Sequence, residues 1–247
     1  MSADRSTLAD PMTPPRPEAA RFDLAQNAWV LSRYPDVWAA LREPYLWPVS
    51  GKREIQPESR DADGRWKQRA AMLEALSASR LEEWRPRLEA LTHSALDRLP
   101  TDRAVDLFGE FTLPWGLALA MLVTGADAAD SRRLADLGGR VFAATGESED
   151  AALRADAASA NRDPAQFPDP DRLLLARPVT SHVALGTGRN SCVGAMLIRL
   201  AASVATGALA AKFAKVSFGS VGEWRVPSGR GSGFCFPASV YVTLRCS

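Results

Sequence analysis

The chain has 247 residues, of which 46% are hydrophobic, and a formal net charge of +1. That is enough apolar material for one larger domain or two small ones, and the balanced charge excludes an electrostatic nucleic-acid partner. No window offers the ~20 apolar residues that span a bilayer. Three cysteines, Cys192, Cys235 and Cys246, make no disulfide framework in a chain this long. A reducing, cytoplasmic setting is expected, with no membrane.

In chain order, Met1 to Arg21 is polar and proline-rich and lacks an apolar signal core, so residues 1–21 read as a flexible leader to a single domain over 22–247. Trp29-Val-Leu31 has the character of a short strand, and Asp36 to Leu41 of a helix. Residues 66–98 are mostly helical, broken or restarted near Pro86, with Leu81, Trp84, Leu88, Leu91 and Ala95 as the apolar stripe. Phe108 to Val123 is strongly apolar and is expected as a buried helix, Pro114 being tolerable near its first turn. A further amphipathic helix is expected over 131–144. Residues 145–160 are acidic and alanine-rich, either helix or linker, and 161–191 read as irregular loop. Val240-Tyr-Val-Thr-Leu244 alternates as a strand. The fold class is mainly α with a small β portion.

The most informative run is Leu185-Gly-Thr-Gly-Arg-Asn-Ser-Cys192-Val-Gly194. Gly186, Gly188 and Gly194 surround one cysteine, and loop glycines let backbone approach a flat ligand closely. Val193, Met196, Leu197, Leu200 and Val204 keep helical spacing after it, which places Cys192 at a helix start, a setting that favours a thiolate and metal ligation. The plainer alternative is an inert buried cysteine. Arg65 and Arg69, one helical turn apart, could clasp carboxylates or simply form an exposed basic face.

The stretch Ala160-Asn-Arg-Asp-Pro-Ala-Gln-Phe-Pro-Asp-Pro-Asp-Arg172, then Arg177-Pro178 and His182 to Gly194, resembles the C-terminal heme-binding segment of bacterial cytochrome P450. The resemblance extends to residues 28–42, 65–98, 104–144 and 227–244. It implies a truncated P450-like fold, heme b as cofactor, and Cys192 as the thiolate ligand of its iron. It also implies that Arg65, Arg69, His182, Leu185, Gly186, Gly188, Arg189 and Gly194 surround that cofactor, the basic residues and His182 facing its propionates. Arg177 matches an arginine that normally completes a triad with Glu-x-x-Arg, and here is expected to find another anion or solvent.

Several parts of the family pattern are absent. Between Ala144 and Ala158 the chain passes almost directly from one matching region to the next, so the family's central helix and its Glu-x-x-Arg helix are missing around 145–158. Glu82-Glu-Trp-Arg85 and Glu18-Ala-Ala-Arg21 match Glu-x-x-Arg only as text, far too early in the chain. In the cysteine loop, Leu185 stands where the family has an aromatic, and Asn190 where it has a basic residue, with neighbouring Arg189 as a substitute. The missing central helix normally carries the acid–alcohol pair that organises proton delivery and walls off water, which argues against ordinary monooxygenation. The resemblance therefore implies a heme-dependent oxidoreductase of secondary metabolism acting on a small-molecule substrate, by peroxide-driven oxidation or by a non-redox rearrangement or cyclisation. Ser148, Glu149 and Asp150 lie at the departure and read as a solvated loop. The alternative is a non-catalytic helper that binds a client biosynthetic enzyme, or a homodimer, through the apolar surface left uncovered.

Overall fold

In the computed structural model, residues 16–24, 27–43, 61–130, 133, 152–172, 174, 176–177, 181–225 and 236–246 are described. The chain divides into two units, the first formed by 1–59, 144–192 and 229–233, the second by 60–143, 193–228 and 234–247. The amphipathic helix expected over 131–144, the loop at Ser148, Glu149 and Asp150, and Cys235 lie outside the described residues, residue 133 apart.

The first unit starts with strands β1 (Arg21–Asp23) and β2 (Ala28–Leu31), an antiparallel pair in which Phe22 faces Trp29 edge-on at 5.7 Å. Strand β4 (Ala152–Ala155) joins β2 in parallel, where the alanine-rich sequence suggests helix or linker. Pairing with a strand far off in sequence overrides weak local propensity here. Helix α1 (Tyr34–Arg42) follows β2, and α5 (Ala157–Ala160) follows β4, its N-terminus capped by the Asp156 carboxylate, which accepts from Ser159 N. Tyr34, Val37, Ala160, Phe167 and Val183 form this unit's core, with the Tyr34 and Phe167 rings edge-to-face at 5.5 Å.

Within the second unit, α2 (Asp61–Ala75) and α3 (Ala78–Asp97) are separated at Leu76–Ser77, not at Pro86. Pro86 lies inside α3, because the buried residues Leu81, Leu88, Thr92 and Leu96 lie on both sides of it and their packing outweighs the hydrogen bond that proline removes. Strand β3 (Ala104–Asp106) leads into a wide helical turn, Leu107–Thr112, that continues directly as α4 (Leu113–Thr124). Helix α6 (Ala195–Lys212) runs into β5 (Phe213–Val221). A short pair, β6 (Trp224–Arg225) with β7 (Phe236–Pro237), and the final strand β8 (Val240–Cys246) complete the unit. Sheet order is β3-β8-β5, antiparallel throughout. The Asp106 carboxylate ties the start of the wide turn to β8, accepting from Phe108 N at 3.2 Å and Val240 N at 2.8 Å.

The core of this unit gathers Leu96, Leu99, Val105, Phe111, Phe213, Val242 and Leu244, with a neighbouring cluster at Leu88, Ala201 and Val204. Thr92 is fully buried: its Oγ1 donates to Leu88 O at 2.7 Å and accepts from Trp115 Nε1 at 3.0 Å. Thr92→Val keeps the shape but orphans the indole N–H, and chemical denaturation should show a loss of about 1–2 kcal/mol. A stability unchanged within error would remove Thr92 from the polar framework of this core.

Two expectations are corrected. The helical run from Phe108 to Val123 is present, but no residue of α4 is buried, and among its large side chains Leu113 is exposed. The stretches Leu107–Thr124 and Ala195–Lys212 are each long and apolar enough, at 18 residues, to cross a membrane by length and composition. The expectation that no such window exists therefore does not hold. Their packing residues Phe111, Ala201, Val204, Ala205 and Ala208 belong to the core of the second unit.

On the surface of this unit, Arg103 grips Glu110 through two nitrogens, at 3.0 and 2.6 Å, and Asp106 N donates to the same carboxylate at 3.0 Å. The Arg103 guanidinium, then that amide, holds the Glu110 carboxyl below the usual range. A carboxylate whose acidity rises on folding stabilises the fold above its ordinary pKa and loses that contribution as pH falls through the folded value. Glu110→Gln should therefore lower the melting temperature slightly at pH 7 and converge with the parent protein in acid. A gap between them that stays constant with pH would contradict this.

Candidate functional site: the cysteine loop

The segment leading to Cys192 is fixed by side chains from far away in sequence. Asp163 is buried, and its carboxylate accepts from Tyr34 N at 2.9 Å and Ala165 N at 3.0 Å, so it caps the first turn of α1. Asn161 Oδ1 accepts from Val183 N at 2.8 Å, and Tyr34 Oη donates to Ser181 O at 2.6 Å. The Asn-Arg-Asp-Pro string thus supplies two hydrogen-bonding anchors of this unit. The sequence marked it only through its resemblance.

The loop then closes on itself. Gly186 N donates to Val183 O at 3.0 Å, Asn190 N to Thr187 O at 3.1 Å, Ser191 N to Gly188 O at 3.2 Å, and Cys192 N to Leu185 O at 2.7 Å. Gly186 has φ +67°, and a Cβ there would lie 2.1 Å from Asn190 O, so neither the backbone conformation nor the space admits a side chain. Gly188, at φ +58°, lies against the Arg42 stem, 3.1 Å from where its Cβ would be. Residues 188–190 form a single tight helical turn, and Cys192 is half-buried beyond it.

Of the expected site residues, His182, Leu185, Gly186, Gly188, Arg189 and Cys192 lie together in the first unit, His182 exposed and Leu185 half-buried. Arg65 and Arg69 share helix α2 in the second unit. Gly194 is the N-cap residue of α6, so that helix begins at Ala195 and Cys192 precedes it instead of opening it. Arg177 is also corrected. Among the described residues it has no acidic partner, and its guanidinium donates to three backbone carbonyls, those of Pro168 (2.5 Å), Asp169 (2.8 Å) and Arg172 (3.1 Å), and so braces its own loop.

Chemically the loop offers one sulfur ligand. Among the described residues no group of three or more His, Cys, Asp or Glu is placed to hold a metal ion. A single thiolate cannot hold a bare ion in a multidentate site, but it would suit an iron whose remaining ligands a porphyrin supplies. The glycine-lined turn fits that group, and residue 190 brings no charge to it.

No family model matches the chain. It is 51% identical over 55 residues to cytochrome P450 107B1 of Saccharopolyspora erythraea, a stretch that is 22% of this chain and 14% of that protein. It is 43% identical over 61 residues to the 6-deoxyerythronolide B hydroxylase of the same organism, 25% of this chain and 15% of that one. The matched stretch therefore spans about one seventh of these curated relatives' length. In fold it is similar to the LnmA cytochrome P450 hydroxylase of the leinamycin biosynthetic pathway of Streptomyces atroolivaceus S-140, with TM-score 0.66 and 18% identity, covering 87% of this chain and 90% of that chain. CYP109B1 of Bacillus subtilis gives TM-score 0.71 and 16% identity, covering 91% and 95%. Over that matched stretch the chain is homologous to bacterial cytochrome P450s, and its fold is the fold of the P450 structures it matches.

Proposed function

We propose that the chain is a heme-thiolate protein of secondary metabolism, with Cys192 supplying the thiolate to the iron, that acts on a small molecule by peroxide-driven oxidation or by non-redox rearrangement or cyclisation. The observation that carries this reading is the closed loop from Leu185 to Cys192, which presents one sulfur at the end of a turn that only glycine can make at position 186. The 6-deoxyerythronolide B hydroxylase of S. erythraea and the leinamycin-pathway hydroxylase support the biosynthetic setting.

Heme b bound through a thiolate would supply either an oxidising centre that uses peroxide or a Lewis-acidic iron. The chain's own residues would hold it. Cys192 gives the sulfur, and the Val183–Gly186 and Leu185–Cys192 hydrogen bonds keep its backbone in place. His182 and Arg189, in the same unit as Cys192, are the proposed propionate partners. Leu185 stands where the family has an aromatic, and packing around a ligand tunes the metal it would bind.

The test is oxidation of a general aromatic probe by the heme-loaded protein, driven either by hydrogen peroxide or by reduced ferredoxin with dioxygen. Turnover with peroxide alone supports the oxidative reading; turnover only with the electron donor overturns it. A second reading, a helper that docks on a client enzyme or on a second copy of itself, is favoured by α4, an apolar helix without a buried residue. Failure to take up heme, together with self-association in solution, would move the balance to that reading.

A further inference from the structure

The Asn190 side chain has a partner of its own. Its Nδ2 donates to Leu41 O at 2.8 Å, in the last turn of α1. Carbonyls at a helix C-terminus have no partner within the helix, so an outside donor there is satisfied and in turn held in place. The same residue accepts the close approach of Gly186 on its own backbone oxygen. Next to it, Gly188 packs on Arg42, whose guanidinium stacks 4.5 Å over the Trp38 ring. Asn190 is thus joined by its side chain to α1 and by its backbone to the turn, two residues before Cys192.

We infer that Asn190 is a positioning residue that pins the cysteine loop to the C-terminal turn of α1, so that the loop is formed before any cofactor binds. This rests on the proposal that Cys192 is the axial ligand. A basic residue at position 190 would spend its charge on the cofactor and leave the loop to be ordered by binding. The amide here is spent on α1 instead. Tyr34 and Asn161 hold the upstream end of the loop, at Ser181 and Val183, and Asn190 holds the end nearest the sulfur. All of these contacts lie within the protein, so they should persist in the apoprotein.

The experiment is timed alkylation of the 247-residue apoprotein with iodoacetamide, read peptide by peptide by mass spectrometry. Exposed Cys246, at the end of β8, serves as the internal reference. Asn190→Asp keeps the shape and replaces the donor by an acceptor facing Leu41 O, and Asn190→Ala removes the side chain. Losing a hydrogen bond of ordinary net strength should speed Cys192 modification about fivefold, with the Cys246 rate unchanged as the sign that the fold is intact. Equal Cys192 rates in all three proteins would overturn the proposal.

Titration with hemin separates this from the parent reading. If the parent protein gives a thiolate spectrum, Asn190→Asp should show a smaller thiolate-ligated fraction at saturating heme, and an identical fraction counts against positioning. If the parent protein gives no thiolate spectrum, the heme reading falls, and the alkylation rates alone uphold or overturn the pin.

Discussion

Cys192→Ser should remove the proposed thiolate ligand while leaving the fold standing. The Cys192 side chain is half-buried and outside the core clusters, and the loop closes through its backbone amide on Leu185 O, which serine preserves. The melting temperature of the apoprotein should therefore stay close to that of the parent. Heme affinity should fall by at least tenfold, because a hydroxyl replaces the soft thiolate, and any heme that remains should lose the thiolate spectrum. Retention of both affinity and spectrum would mean that another residue ligates the iron, or that the heme sits elsewhere.

Gly186→Ala attacks the same loop through its backbone. A methyl group at this position would lie 2.1 Å from Asn190 O and 3.3 Å from Ser191 Cα, and the residue would have to hold φ +67°. The first contact is with backbone and cannot be relieved by a side-chain rotation. The turn must open, and the cost is of the order of 1–3 kcal/mol for the strained conformation alone. The expected result is a modest loss of global stability and a much larger loss of heme binding, because the hydrogen bond that places Cys192 against Leu185 spans this turn. Gly207 in α6 has open space around its Cβ position, and Gly207→Ala is the matched control, expected to be neutral or stabilising. Heme binding unaffected by Gly186→Ala would remove the loop from the site.

The elements legible in the sequence were those whose signal is local. The strand at Ala28–Leu31, the helix at Tyr34–Arg42 and the alternation of Val240–Cys246 each bury a face that their own spacing displays. The glycine pattern around Cys192 was legible because positive φ leaves few residue choices. What stayed hidden depends on partners distant in the chain. Asp163 caps α1 from 129 residues away, and Asn190 reaches Leu41 across 149. The strand Ala152–Ala155 exists because β2 pairs with it. Pro86 looked like a break, since sequence cannot show that Leu81 and Leu88 pack on both sides of it. The apolar run of α4 suggests burial, but none of its residues is fully buried, and Trp115 and Leu119 pack only partly covered against the cores of this unit.

The most direct test of the account is a hemin titration of the intact protein, followed by reduction under carbon monoxide and recording of the Soret region. Thiolate ligation through Cys192 predicts uptake of one heme per chain and the far red-shifted Soret band of a thiolate-ligated, carbon monoxide-bound iron, lost in Cys192→Ser. Uptake with the spectrum of a histidine- or water-ligated heme in both proteins, or no stoichiometric uptake, would contradict it.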